Sequence, residues 1–190
     1  MNLGHRLTAT RLFLLCMLAL SLGTTQHAYG QKNVHAVIVD KEQRKPAPSF
    51  KLDGDDGKQV RLTDFRGKVV LLNFWATKCG GCILEIPSFI EMHEKYSKQE
   101  FTALGVSADI PYSGLNSPQE AWALVKPFVA SHHVNYPIVM GSGALVDMYG
   151  FRSYPATYLI DKKGRIAALY EGVVSKEDVD MNIRKLLAER

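Results

Sequence analysis

The chain has few cysteines, and they are not spaced as metal ligands. Among 190 residues there are three cysteines, of which Cys79 and Cys82 form one closely spaced pair. A structural zinc site takes about four ligands, but the sequence has no second cysteine pair, and His35, His93 and residues 132–133 show no ligand spacing. We therefore predict neither a metal nor any other cofactor.

Features typical of nucleic-acid-binding or fibrous proteins are also absent. The sequence has no block of basic residues, no internal repeat and no low-complexity tract. Its formal net charge is +4, and it falls to +2 when two arginines, Arg6 and Arg11, are subtracted with the N-terminal segment. Because no basic patch remains, we do not expect the protein to bind nucleic acid.

No hydrophobic run is long enough to suggest an ordinary membrane-spanning helix. The apolar stretch Leu12–Leu22 has about half of the roughly 20 residues that such a helix needs. It follows Arg6 and Arg11 with no acidic residue before it, and residues 28–30 (Ala-Tyr-Gly) place small residues two apart. This three-part pattern predicts a secretory signal peptide over residues 1–30.

Cleavage of that signal would place the mature protein in the periplasm or another extracytoplasmic compartment. An uncleaved N-terminal membrane anchor is the alternative. We interpret Cys16 as an apolar residue of the signal, so the mature chain would keep only Cys79 and Cys82. Because extracytoplasmic compartments permit disulfides, this pair is expected to carry redox chemistry.

The remaining residues predict one domain with alternating strands and helices. Residues 31–47 are interpreted as a lead-in or linker, with a short strand possible at 34–39, and residues 48–190 as the domain, which is long enough for one buried core. The order of elements predicts an α/β fold. The predicted elements are a hairpin of 49–52 with 59–62, strands at 68–75, 101–107 and 137–140, helices at 82–98 and after Ser117, a short helix ending near Gly150, a second hairpin of 156–160 with 165–170, and a helix after Ser175.

The cysteine pair falls where the predicted strand 68–75 gives way to a helix. At a helix N-terminus the capping residue and the residue three positions later lie close together, which brings the two sulfurs into disulfide range. Free backbone N–H groups and the helix dipole, with nearby Lys78, should lower the pKa of the Cys79 thiol. Cys79 is then the attacking thiolate, and Cys82 resolves the mixed disulfide. The alternative is a purely structural disulfide, which would constrain little because its loop is so short.

Two separated segments resemble one known family. Residues 73–82 (Asn-Phe-Trp-Ala-Thr-Lys-Cys-Gly-Gly-Cys), followed by Glu85 and Pro87, and residues 149–161 (Tyr-Gly-Phe-Arg-Ser-Tyr-Pro-Ala-Thr-Tyr-Leu-Ile-Asp) are similar to the thioredoxin-like proteins of the TlpA/ResA type. These are exported thiol-disulfide oxidoreductases. The resemblance implies a thioredoxin-like fold: a central mixed sheet flanked by helices, with an N-terminal hairpin and a central insertion.

The resemblance also implies roles for residues around the pair. Pro155 would be a cis-proline that faces the cysteines and presents the backbone of Tyr154 to an extended substrate. Trp75 matches the family's aromatic residue beside the motif, although plain core packing would explain it equally well. Lys78 stands where relatives usually have Trp, and Gly81 where Pro is common, so the substrate surface and redox potential are where this chain departs from the family.

Glu85 has two interpretations. It lies one helical turn after Cys82 and could accept or relay a proton during exchange. It could instead be a solvated acid in the first turn that complements the helix dipole. Asn73 occupies the position of the buried acid of ordinary thioredoxin, so Glu85 is the nearest acid beyond the motif.

By the same resemblance, the expected partners are protein thiols and disulfides. Reduction is the implied direction, including reduction of apocytochrome c cysteines, with a membrane thiol carrier as electron donor and a monomeric protein. The alternative activity is a thiol peroxidase, since residues 76–80 resemble the glutathione-peroxidase nucleophile segment. Peroxiredoxins, however, have Pro and Thr where this chain has Leu72 and Ala76. A third interpretation is a binding module with vestigial cysteines, and residues 109–117 could shape partner choice or simply connect two elements.

Overall fold

A seven-residue strand that is buried along its whole length organises the fold. The computed structural model describes residues 33–189; the predicted signal peptide, residues 1–30, lies outside the described residues. Strand β3 (Val69–Trp75) consists of buried residues only, as expected for a strand covered on both faces. It is the middle strand of a five-stranded sheet.

The other elements follow the order predicted from the sequence. The small N-terminal hairpin pairs residues 51–53 with residues 59–61 in antiparallel fashion, apart from the main sheet. In residues 33–189 no helix combines the length and the apolar character needed to cross a membrane. The bounds are β1 (Lys51–Asp53), β2 (Gln59–Arg61), β3 (Val69–Trp75), α1 (Gly80–Tyr96), β4 (Phe101–Ser107), α2 (Asp109–Ser113), α3 (Pro118–Ser131), β5 (Ile138–Met140), α4 (Gly143–Tyr149), β6 (Ala156–Ile160), β7 (Ile166–Glu171) and α5 (Lys176–Leu187).

The main sheet is mixed, in the order β5-β4-β3-β6-β7. Strands β3, β4 and β5 are parallel neighbours, whereas β6 and β7 run antiparallel to β3 and to each other. In the β3–β4 ladder Trp75 lies opposite Ser107. The carboxyl ends of these two strands therefore meet at one edge of the sheet, and the segments that follow them lie side by side.

Two buried clusters, one on each face of the sheet, form the core. One contains residues of α1, α3 and α5 together with both cysteines of the pair. The other contains residues of α4, with the hairpin packed against it. The mixed sheet flanked by helices confirms the predicted fold class, and the cysteine pair belongs to the face that α1 covers.

Three local expectations differ from the structure. Helix α1 begins at Gly80 rather than at Cys82, because Cys79 serves as its N-cap. Residues 109–113 form the short helix α2 within the predicted loop. Residues 34–39 form no strand; a single bridge joins Val34 to Val174.

The lead-in segment is attached to the domain by a buried charge. Arg44 is 7% exposed, and its guanidinium contacts Asp161 at 3.2 Å and Glu189 at 2.7 Å. The backbone adds further contacts, since Val39 N–H donates to Ala167 O. This part of the lead-in is therefore packed against β7 and the end of α5.

Candidate active site

Cys79 and Cys82 lie at the N-terminus of α1 and form a disulfide, with their Cα atoms 5.2 Å apart. Cys79 is the N-cap residue, and its Sγ accepts a hydrogen bond from the Cys82 N–H at 3.3 Å. Cys79 is 4% exposed and Cys82 is fully buried. A helix N-terminus offers unpaired N–H groups and the positive end of the dipole, so the geometry favours negative charge on Cys79 after reduction.

The turn that leads into Cys79 is held by a buried acid that the sequence reasoning did not single out. The Asp109 carboxyl accepts from the Thr77 N–H at 3.1 and 3.2 Å and from the Thr77 hydroxyl at 2.6 Å. It also accepts from the Ser107 hydroxyl at 3.0 Å. Only its place directly after a buried strand could have drawn attention to it.

Glu85 is buried beside the pair, not solvated. It is 2% exposed, and its two carboxyl oxygens accept from Val174 N–H at 2.8 Å and from the Asn73 amide at 3.4 Å. Burial raises the pKa of Glu85 to about 8, although these two donors oppose the rise. The interpretation of Glu85 as a solvated first-turn acid is therefore wrong, because the start of α1 packs that side chain into the core.

The Glu85 site joins three elements of the fold. The Asn73 amide on β3 also donates to the Thr157 hydroxyl on β6 at 3.0 Å. Burial, and next the nearby charge of Glu85, raise the pKa of Tyr136. The acid of α1 thus lies among neutral polar groups next to the central strands β3 and β6.

The segment before β6 contains the expected proline. The Tyr154–Pro155 peptide bond is cis, and Pro155 is buried while Tyr154 is half-buried. The Tyr154 ring makes edge-on contacts at 5.1 Å with Tyr112 of α2 and with Phe151. Burial raises the pKa of Tyr154. The inserted helix α2 therefore reaches the residue that precedes the cis-proline.

The two remaining predicted site residues, Trp75 and Lys78, differ in their exposure to solvent. Trp75 is 2% exposed and packs on Phe128 with ring centroids 5.1 Å apart, in the same cluster as the cysteines. Such burial favours core packing over direct substrate contact. Lys78, by contrast, is exposed next to Cys79. Within residues 33–189 no group of three or more His, Cys, Asp or Glu side chains is arranged to hold a metal.

Comparison with known proteins agrees with this geometry. The AhpC/TSA family profile matches residues 44–169. The chain is 32% identical over 186 residues to the thiol-disulfide oxidoreductase ResA of Geobacillus thermodenitrificans, covering 98% of this chain and 99% of that relative.

Solved structures give the same result. A secreted thiol-disulfide isomerase from Corynebacterium glutamicum has a TM-score of 0.68 at 25% identity, over 82% of this chain and 93% of that one. The pneumococcal exposed lipoprotein thioredoxin from Streptococcus pneumoniae has a TM-score of 0.62 at 30% identity, over 73% and 100% of the two chains. With a disulfide at the start of α1 and a cis-proline before β6, the chain belongs to the AhpC/TSA family and is a thioredoxin-like thiol-disulfide oxidoreductase of the ResA type.

Proposed function

We propose that this protein is an exported reductase of protein disulfides, in which Cys79 attacks and Cys82 resolves. The observation that carries this assignment is the N-cap position of Cys79. Its sulfur receives the Cys82 N–H and is the more exposed of the two. A thiolate there is stabilised by the helix terminus, whereas the fully buried Cys82 is reached only through Cys79.

The exchange proceeds in two displacements. The Cys79 thiolate attacks one sulfur of a substrate disulfide, forms a mixed disulfide and releases the other substrate sulfur as a thiolate. Cys82 then loses its proton and attacks the Cys79 sulfur, which restores the internal disulfide and releases the second substrate thiolate. The substrate gains two electrons and the protein loses two. A membrane thiol carrier would return the protein to the dithiol state.

Glu85 is the proposed acceptor of the Cys82 proton. It lies one helical turn beyond Cys82, it is buried, and its pKa of about 8 is close to the range in which thiols titrate. Replacement by Gln keeps the size of the side chain and removes the proton acceptor. The Glu85→Gln variant should resolve mixed disulfides more slowly and show an altered pH profile; an unchanged rate and profile would contradict this role.

The proposed substrate surface lies around the disulfide. Pro155 would present the backbone of Tyr154 to an extended segment of the substrate, and Lys78 is exposed directly before Cys79 in the sequence. Trp75 would support this surface from within the core, as its burial suggests. The resemblance to the TlpA/ResA type supports apocytochrome c cysteines as one substrate and a monomeric protein.

Export is supported by two independent observations. The first 30 residues have the three parts of a secretory signal, and the similar solved structures include a secreted protein and an exposed lipoprotein. N-terminal sequencing of the protein recovered from the cell envelope should begin at Gln31. A sequence that begins at Met1 in the membrane fraction would favour the uncleaved anchor.

Trapping of mixed disulfides tests the central assignment. The Cys82→Ser variant should accumulate substrates linked to Cys79, and the Cys79→Ser variant should trap none. The equilibrium with glutathione should give a potential nearer to about −270 mV than to about −120 mV, the values of a reducing and a strongly oxidising member of this fold. A strongly oxidising potential would contradict the reductase direction, and rapid peroxide consumption that requires Cys79 would favour the peroxidase alternative.

A further inference from the structure

Asp109 is a buried acid that touches the redox turn without being part of the exchange itself. Its side chain has no exposed surface. It makes three contacts with Thr77, which lies two residues before Cys79, and a fourth with the Ser107 hydroxyl. The carboxyl group thus holds the backbone and the side chain of one residue in the turn that presents the attacking sulfur.

The sheet register explains why the acid is found there. Trp75 and Ser107 are opposite each other at the ends of the parallel strands β3 and β4, and Ala108 N–H donates to Trp75 O at 2.7 Å. Asp109 and Thr77 each lie two residues beyond those positions, so the two segments continue side by side. Asp109 therefore connects the end of β4 to the turn before α1.

The contacts of Asp109 are suited to a carboxylate. The Thr77 N–H faces both oxygens, and the two hydroxyls, of Thr77 and Ser107, can each donate a proton. No lysine or arginine of residues 33–189 forms an ion pair with it. A buried negative charge that is compensated only by neutral donors acts on other groups nearby, because little solvent screens it.

We propose that Asp109 is a positioning residue that also raises the free energy of the Cys79 thiolate, and so makes the protein a stronger reductant. Among the titratable side chains on the elements around the pair are Lys78 on the same turn, Glu85 on α1, Tyr112 on α2 and Tyr154 before β6. The first favours the thiolate, while a charged Glu85 opposes it. Asp109 adds a second negative charge, held against Thr77 in the same turn.

The effect on the redox equilibrium follows from the charges of the reduced state. Two glutathione molecules reduce the Cys79–Cys82 disulfide; they supply two electrons and two protons and become glutathione disulfide. One proton stays on Cys82, and the other is released when Cys79 is left as a thiolate. An anion near that thiolate disfavours the reduced form. The Asp109 carboxyl is 3.1 Å from the Thr77 nitrogen, and the two residues from Thr77 to Cys79 span at most about 7 Å. With the length of the cysteine side chain added, the two charges are within about 12 Å of each other, where an effective dielectric constant of about 20 gives an effect of about tenfold.

The Asp109→Asn variant tests this proposal, because it keeps the shape of the side chain and removes the charge. The glutathione equilibrium should shift about tenfold toward the dithiol form. The midpoint pH for iodoacetamide alkylation of Cys79 should fall by about one unit. The Thr77→Val variant is the matched control: it removes one hydroxyl contact and keeps the charge, so its alkylation midpoint should stay near that of the unaltered protein.

A purely structural role would give a different pattern. Urea unfolding would then show a loss of stability in both variants, with the alkylation midpoint and the glutathione equilibrium unchanged in folded Asp109→Asn, and that result would overturn the proposal. If the Asp109→Asn variant fails to fold, NMR of the unaltered protein labelled with carbon-13 aspartate tests the proposal instead. The Asp109 carboxyl signal of the reduced protein should show a step at the Cys79 midpoint that the oxidised protein lacks, and absence of that step would overturn the proposal.

The proposal rests on the proposed function only in assigning the thiolate to Cys79, and the two can fail separately. Mass spectrometry of the alkylated, unaltered protein shows which sulfur reacts. Label on Cys82 would contradict the assignment of the attacking thiol whatever Asp109 does. Label on Cys79 with an unchanged midpoint in Asp109→Asn would contradict only the role of Asp109.

Discussion

Glu85 and Asp161 are both almost fully buried, 2% and 4% exposed, but the charges around them differ. Burial alone would raise the pKa of Asp161, yet hydrogen bonds from Arg165 and Arg44 lower it. Glu85 receives only a backbone N–H and an amide, and burial raises its pKa to about 8. One acid therefore stays ionised as part of a structural ion cluster, and the other can exchange a proton near neutral pH.

The difference between the two acids matches their positions in the fold. Asp161 follows β6 and joins the lead-in segment to the end of α5 through Arg44 and Glu189. A permanently ionised carboxylate there holds the ion cluster together. Glu85 lies in the helix that begins with the cysteine pair. A buried acid without a counter-ion destabilises the fold when it ionises, and the proposed transfer of the Cys82 proton gives a reason for the presence of Glu85 in this helix.

The largest effect is expected where the ion cluster is broken. The Arg44→Ala variant leaves Asp161 with one of its two guanidinium partners and removes both contacts to Glu189. The free energy of unfolding should fall by about 3 kcal/mol, because removal of one partner leaves buried charge uncompensated. Urea unfolding of the oxidised protein measures this loss, and thiol exchange by the folded fraction should be unaffected.

An exposed ion pair provides the control for Arg44→Ala. Lys58 and Asp56 are 2.9 Å apart on the hairpin, with most of the lysine side chain in solvent. Because solvent screens such pairs, the Lys58→Ala variant should leave the urea midpoint unchanged. Equal losses in the two variants would show that burial does not distinguish the Arg44 cluster from a surface contact.

The second effect is a dependence of stability on pH that follows from the raised pKa of Glu85. Its pKa is raised in the folded protein, from 4.5 to about 8. Between these values the folded state binds more protons than the unfolded state, so stability falls as the pH rises. Glutamine does not titrate. The Glu85→Gln variant should therefore gain about 2 kcal/mol relative to the unaltered protein between about pH 6 and about pH 8.

Urea unfolding of the oxidised proteins at several pH values checks this prediction. The Glu42→Gln variant removes an exposed carboxylate and should show a constant difference from the unaltered protein. A constant difference for Glu85→Gln as well would mean that Glu85 ionises as easily in the folded chain as in the unfolded one. The contrast with Asp161 would then disappear.

The sequence allowed the prediction of elements whose signals are local. The buried strand β3 was predicted from its apolar run, and the helix after Ser117 from its N-cap, whose hydroxyl accepts the Glu120 N–H at 3.2 Å. The N-cap geometry also predicted that the cysteine pair lies at the start of a helix. In each case the determining residues lie within a few positions of one another.

The buried charges could not be predicted in this way, because their partners are distant in sequence. Arg44 and Asp161 are 117 residues apart, and the N–H that binds Glu85 belongs to Val174, 89 residues away. Residues 31–47 were therefore interpreted as a lead-in or linker, although Arg44 within them is buried. Asp109 was hidden for the same reason, since only the β3–β4 register brings it to Thr77.

The smallest expected effect extends the comparison to a base. His93 is half-buried, and its Nδ1 accepts the Ala103 N–H at 3.2 Å. Burial, with Lys68 nearby, lowers the pKa of His93 below its ordinary value of 6.5, while Glu94 acts in the opposite direction. The unfolded chain therefore binds this proton at a higher pH than the folded one, so stability is lost as the pH falls below 6.5. The protonated ring also cannot accept the Ala103 N–H.

The His93→Gln variant should lack this loss, which we expect to be about 1 kcal/mol, and its urea midpoint should change less below pH 6.5 than that of the unaltered protein. His133 is the matched control, since it is exposed and its φ of 53° suits asparagine. The His133→Asn variant should follow the unaltered protein at every pH. If the His93→Gln variant also followed the unaltered protein at every pH, His93 would not cause the loss of stability in acid. That loss would then come from carboxylates such as Asp161, whose ion pairs are lost on protonation.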